Sequence, residues 1–129
     1  MALNILVVDD STTVRAVIAR SLELAGVPVG NLHQAANGRE ALAILGAEWI
    51  DLVFADINMP VMNGVEMIEK MREDGLLQTI PVIICSTEGS VSRIEQLRAA
   101  GVRAYIRKPF TPELLRQVVE DTVGVPNDS

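Results

Sequence analysis

Hydrophobic and polar positions alternate along this chain in two distinct rhythms. Ile5-Leu-Val-Val8 is a short apolar run that ends in Asp9-Asp10. Leu52-Val-Phe-Ala55 is a second, closed by Asp56 and followed by Pro60, which stops any further ladder. Such runs, bounded by turn signals, read as strands buried on both faces. Between them Val14, Val17, Ile18, Leu22 and Ala25 fall at helical spacing, with Ser11 as N-cap and Gly26 as stop. A weaker strand over residues 32–36 carries His33 and Gln34 and reads as a sheet edge. Asn37, with Glu40 three residues on, opens a second helix through Ile44 and Leu45 that ends at Gly46.

The same alternation continues to the end. Asn63-Gly64 marks a loop, Val65, Ile68 and Met71 pick up a third helix, and Gly75 ends it. Val82-Ile-Ile-Cys-Ser86 is a fourth strand, apolar until its last residue. A fourth helix starts at Ser90 or Val91 and runs to Ala100, with a narrow stripe of Val91, Ile94 and Leu97. Residues 102–107 form a short fifth strand. Thr111-Pro112 then supplies an N-cap with proline in the first helical position, and Leu114, Leu115, Val118 and Val119 face inward.

Five strands alternating with five helices predict an α/β fold: a doubly wound parallel sheet with helices on both faces and right-handed crossovers. The polar second strand belongs at an edge, which gives the flavodoxin-like order 2-1-3-4-5. That order places a ligand crevice between strands one and three. Asp9, Asp10 and Asp56 end those two strands, so the fold rule and the acids select the same place. With no repeat, low-complexity segment or linker, one domain is expected over 1–129, its core over about 3–123.

Composition narrows the function. A net charge of −6 argues against nucleic acid, whose phosphates recruit basic stripes. One cysteine, Cys85, excludes an internal disulfide and fits a reducing compartment. Met1-Ala-Leu-Asn leads straight into the first strand, so a signal region is not expected. No apolar run approaches the ~20 residues of a membrane helix. A cytoplasmic domain with no membrane contact is the expectation.

Three carboxylates at one sheet edge are costly, since two such groups ~4 Å apart repel by about 4 kcal/mol at an effective dielectric of ~20. They are also the ligand type of Mg2+, which takes one or two protein carboxylates and shares its remaining positions with water and phosphate. Ser86 adds a hydroxyl at the end of strand four. Lys108, one of only two lysines against nine arginines, follows strand five. Cation, ammonium and hydroxyl together would bind a phosphoryl group that a facing aspartate attacks as nucleophile.

Val7-Val-Asp9-Asp10, Asp56-Ile-Asn-Met-Pro60 with Gly64, Ser86-Thr87 and Lys108-Pro109-Phe110 together resemble the response-regulator receiver domain of two-component signalling. The resemblance covers roughly residues 3–123. It implies that Asp56 is the phosphoacceptor. Asp9, Asp10 and Asp56 would hold Mg2+ together with the backbone carbonyl of Asn58. Ser86 and Lys108 would contact the phosphoryl oxygens, the Lys108–Pro109 bond would be cis, and Tyr105 would be the switch aromatic. The phosphoryl donor would be a sensor histidine kinase. Phosphorylation would reshape the face of helix four, strand five and helix five for a downstream protein, and acyl-phosphate hydrolysis would reset it. Asn58 and Glu88 at the rim are similar to single-domain regulators of the chemotaxis type. Thr87 is bulkier than the alanine or glycine common there and would narrow the mouth of the site. Gly89-Ser90-Val91 lacks the lysines of flagellar-switch binders.

Three rivals use parts of the same pattern. A haloacid-dehalogenase-like phosphatase also has an aspartyl nucleophile, but after an Asp-x-Asp pattern rather than adjacent acids. A flavin carrier would need more than four aromatic residues to sandwich its ring, and Asp9-Asp10 would repel its phosphate. An interaction module that is never phosphorylated would not need the full set of groups. Elsewhere, Cys85 reads as a core thiol and His33 as a surface residue. Trp49 is expected to pack between helix two and strand three, and Met59, Met62, Met67 and Met71 around helix three. Glu66–Lys70 and Glu69–Arg72 are expected to pair along that helix.

Overall fold

The computed structural model describes residues 2–87 and 91–124. In chain order the elements are β1 (Leu3–Val8), α1 (Thr12–Leu24), β2 (Val29–Ala35), α2 (Gly38–Ala47), β3 (Leu52–Ala55) and α3 (Gly64–Glu73). A single 3-10 turn, Leu76–Gln78, precedes β4 (Val82–Ser86), α4 (Val91–Ala100), β5 (Ala104–Arg107) and α5 (Pro112–Val123). All pairings are parallel, in the expected order β2-β1-β3-β4-β5.

The apolar runs work as double-sided strands. Period-two alternation sends Leu6, Val8, Val53, Ala55, Val82 and Ile84 to the layer beneath α2, α3 and α4. It sends Ile5, Val7, Leu52, Phe54, Ile83 and Cys85 to the layer beneath α1 and α5. Because neither face meets water, β3 and β4 carry no polar residue until their ends.

Helix starts follow the sequence signals. Ser11, Asn37, Asn63 and Thr111 each accept a backbone N–H of the first turn through the side chain. Edges moved where ladders decided them. β2 begins at Val29 rather than 32, because Leu3 and Asn4 pair with Val29 and Asn31. β5 begins only at Ala104, opposite Ile83. Helix α2 runs through Gly46 to Ala47. The Ser90 alternative for the start of α4 lies outside the described residues.

Two packing expectations are corrected. Trp49 is 78 % exposed rather than packed between α2 and β3, and its Nε1–H donates to Asp51 Oδ1 at 2.9 Å. Glu66 does not pair with Lys70; it reaches back to the Asn63 amide in a capping box, and Lys70 turns to Glu73. Glu69–Arg72 forms as expected at 2.7 Å. Met67 and Met71 are fully buried, while Met59 and Met62 pack half-buried against the same layer. Among the described residues, no helix is long and apolar enough to cross a membrane.

Candidate functional site

The carboxyl ends of β1 and β3 bring the acids together. Asp9 leaves β1 with its amide still bonded to Ala35 O at 3.0 Å, and Asp56 leaves β3 with its amide on Val8 O at 3.0 Å. One carboxylate oxygen each of Asp9, Asp10 and Asp56 lies within 4.8 Å of the other two. Asp9 is buried, Asp56 half-buried and Asp10 exposed, so the cluster opens to solvent on one side.

Lys108 closes the other side. Its Nζ donates to Asp9 Oδ2 at 2.8 Å and stands 3.6 Å from Asp56 Oδ2, with the Lys108 side chain 15 % exposed. Burial alone would lower the lysine pKa, but the hydrogen bond to Asp9 and the fields of Asp56 and Asp9 more than offset it. The ammonium is held above its ordinary value. The Lys108 amide bonds Ser86 O at 3.0 Å, which ties this lysine to the end of β4; the Lys108–Pro109 bond is cis.

Ser86 is the fully buried last residue of β4. Its carbonyl also accepts the Tyr105 hydroxyl at a long 3.5 Å, so one residue touches both the lysine backbone and the aromatic ring of β5. Tyr105 is half-buried against the α4 side of the core. Thr87 is exposed beside Ser86, and Asn58 is exposed two residues beyond Asp56. Glu88 lies outside the described residues. Asp9, Asp10, Asp56 and Lys108 therefore meet at one sheet edge, and Ser86 joins them through its bond to the Lys108 amide.

The loop after β3 is folded tightly onto Asp56. Asp56 Oδ1 accepts the Ile57 amide at 2.7 Å, and the Gly64 amide returns to Ile57 O at 2.8 Å. A Cβ on Gly64 would stand 2.3 Å from the Asp56 carbonyl oxygen, so no side chain fits there. Val61, in the same loop, holds φ +65, a conformation that β-branched residues rarely adopt.

Cys85 sits under the site without joining it. Burial pushes its thiol up to about 12, against the opposing pull of Lys108, so it stays a neutral core group. His33 is partly exposed on β2, 4.0 Å from Glu48 and away from the acids. Arg15 and Gln34 are additions that the sequence pattern did not single out. The arginine reaches the carbonyl of Asp9 from outside the cluster, and the glutamine holds the arginine.

Known proteins are similar to this chain in sequence and fold. The family described as the response regulator receiver domain matches residues 5–120. A chemotaxis protein CheY homolog of Campylobacter jejuni is 37% identical over 123 residues, covering 95% of this chain and 93% of the relative. Chemotaxis protein CheY1 of Helicobacter pylori is also 37% identical, over 95% of this chain and 98% of its own. The solved structure of Vibrio cholerae CheY4 superposes with a TM-score of 0.83 at 32% identity, covering 95% of this chain and 99% of that one. The chain belongs to the response regulator receiver family, the class of two-component signalling switches. The haloacid-dehalogenase alternative finds no support in these relatives.

Proposed function

We propose that this receiver, one domain over 1–129 with its core over about 3–123, is a chemotaxis-type switch that works in the cytoplasm by phosphorylation of Asp56. The observation that carries the reading is the convergence of three carboxylates within 4.8 Å with an ammonium bonded to one of them. The names and identities of the chemotaxis relatives support the pathway class.

The donor set fits a hard divalent cation: oxygen ligands only, one side open to water, and more negative charge than Lys108 offsets. Asp9, Asp10, Asp56 and the Asn58 carbonyl would hold Mg2+. When bound, it would neutralise charge on the incoming phosphoryl group.

The chain's own residues perform the transfer. A histidine kinase presents phosphohistidine, and a carboxylate oxygen of Asp56 attacks phosphorus. The new P–O bond forms as the P–N bond breaks, and the imidazole leaves with the bonding pair. Lys108 turns from the aspartates toward a phosphoryl oxygen, and the Ser86 hydroxyl contacts another, while Thr87 borders the entry path. Movement at Ser86 is passed to Tyr105 through the contact they already share. The face of α4, β5 and α5 then favours its downstream partner, because phosphorylation shifts a two-state population by differential contacts. Water attacking the acyl phosphate releases inorganic phosphate and resets the switch.

Acetyl phosphate tests the reading without the cognate kinase. With Mg2+ the chain should acquire one alkali-labile, hydroxylamine-sensitive phosphoryl group on Asp56. The label should be absent from Asp56→Asn and in the presence of a chelator. Labelling of Asp56→Asn equal to wild type would overturn the assignment.

A further inference from the structure

The turn that carries the two adjacent acids is held from outside the cluster. Arg15, in the first turn of α1, donates Nη1 to the backbone carbonyl of Asp9, Nη2 to Thr12 Oγ1 at 3.3 Å and Nε to Gln34 Oε1 at 3.0 Å. Three acceptors, from the turn after β1, from α1 and from β2, converge on one guanidinium. The planar, multi-donor arginine can serve them together, whereas a lysine ammonium is a single point.

Asp9 and Asp10 are fixed in different ways. Both oxygens of the Asp9 carboxylate are engaged, Oδ1 by the Ser11 amide at 2.9 Å and Oδ2 by Lys108 at 2.8 Å. The Asp10 carboxylate has no hydrogen-bond or ion-pair partner among the described residues, so only its backbone directs it. The Asp9 carbonyl and the Asp10 amide share one rigid peptide plane. Whatever holds that carbonyl therefore fixes where the Asp10 backbone enters the cluster.

We propose that Arg15, braced by Gln34 on β2, is a positioning residue that aims Asp10 at the cation held between Asp9, Asp10 and Asp56. The inference rests on the magnesium reading above. It gives a task to the polar content of β2, where Gln34 is exposed and lies on the neighbouring strand to β1. Arg15 also brings positive charge near the cluster, which by itself would weaken cation binding. Positioning and charge thus predict opposite signs for its removal.

Calorimetric titration of the unphosphorylated full chain with Mg2+ separates them. Arg15→Ala should weaken Mg2+ binding about tenfold, the low end for losing a partner that orients a metal ligand. Gln34→Ala, at an exposed position, should weaken it about threefold, as expected for one lost hydrogen bond. The double variant should be no worse than Arg15→Ala, because Gln34 acts only through the arginine. Arg15→Lys should fall between wild type and Arg15→Ala, restoring the carbonyl bond without the brace. In an Asp10→Asn background Arg15→Ala should have no further effect. Unchanged or tighter binding in Arg15→Ala, no change in Gln34→Ala, or full additivity of the two would overturn the proposal. A wild-type chain that binds no Mg2+, or binds it equally as Asp10→Asn, would instead remove the magnesium reading and this inference with it.

Discussion

Asp51 precedes β3 and Asp56 follows it, so the same acid stands at both ends of one four-residue strand. At the amino end, Asp51 Oδ2 accepts the Asn4 amide at 2.8 Å and Oδ1 accepts the Trp49 indole at 2.9 Å. Neutral donors satisfy that carboxylate, and among the described residues it belongs to no acid cluster. At the carboxyl end, Asp56 shares its space with Asp9 and Asp10, and one ammonium faces three negative groups. The first acid ties strands together; the second belongs to a group that is electrostatically incomplete. Position in the fold separates the two uses, since the residue type is the same.

The backbone around the two ends differs just as much, and the largest expected effect lies there. Gly64→Ala drives a Cβ into the Asp56 carbonyl and should cost about 3 kcal/mol or more in urea unfolding. Gly46→Ala, near the Asp51 end, meets nothing within 4 Å inside a helix and should stabilise by about 0.5–1 kcal/mol. Equal effects would erase the contrast.

A smaller and sharper pair tests the charges themselves. Without metal, Asp10→Asn should stabilise the fold by about 1 kcal/mol by relieving repulsion that partial exposure has already weakened. Asp51→Asn should destabilise it by about 1 kcal/mol through one lost charge-assisted bond. Same-sign changes in denaturant midpoint would mean that both acids are structural.

Lysine chemistry adds a pH window at one end only. Lys108 is held above its ordinary value of 10.5, so its contribution is complete below that pH and is lost as pH rises through the higher folded value. Stability measured from neutral to strongly alkaline pH should fall less steeply in Lys108→Met than in wild type across that window. Parallel curves would contradict the ion-pair assignment. The smallest effect concerns the entrance. Thr87→Ala should raise the acetyl-phosphate labelling rate about twofold, on the order of a few tenths of a kcal/mol in barrier; an unchanged rate would show that Thr87 does not narrow the mouth.

Much of this was legible in the residues because several signals agreed. The runs before Asp9 and Asp56 needed no tertiary knowledge to be recognised as buried strands, and a polar second strand fixed the sheet order. The acids, Ser86 and Lys108 followed, since parallel strands end on one edge. Trp49 defies its place between α2 and β3 because Asp51, two residues on, keeps the indole N–H satisfied at the surface. Glu66 was misread because two local rules competed, and Asn63-x-x-Glu66 was the signal of the winning one. Arg15 could not be read at all: its three acceptors meet only when β2 lies beside β1.

The most direct test of the incomplete carboxyl-end cluster is metal binding compared across the two aspartate ends. Wild type and Asp51→Asn should bind one Mg2+ with matching affinity, and Asp10→Asn should bind it at least about tenfold more weakly. If wild type binds no Mg2+, or Asp51→Asn weakens binding as much as Asp10→Asn, the two ends of β3 are not distinguished by a cation and the account is contradicted.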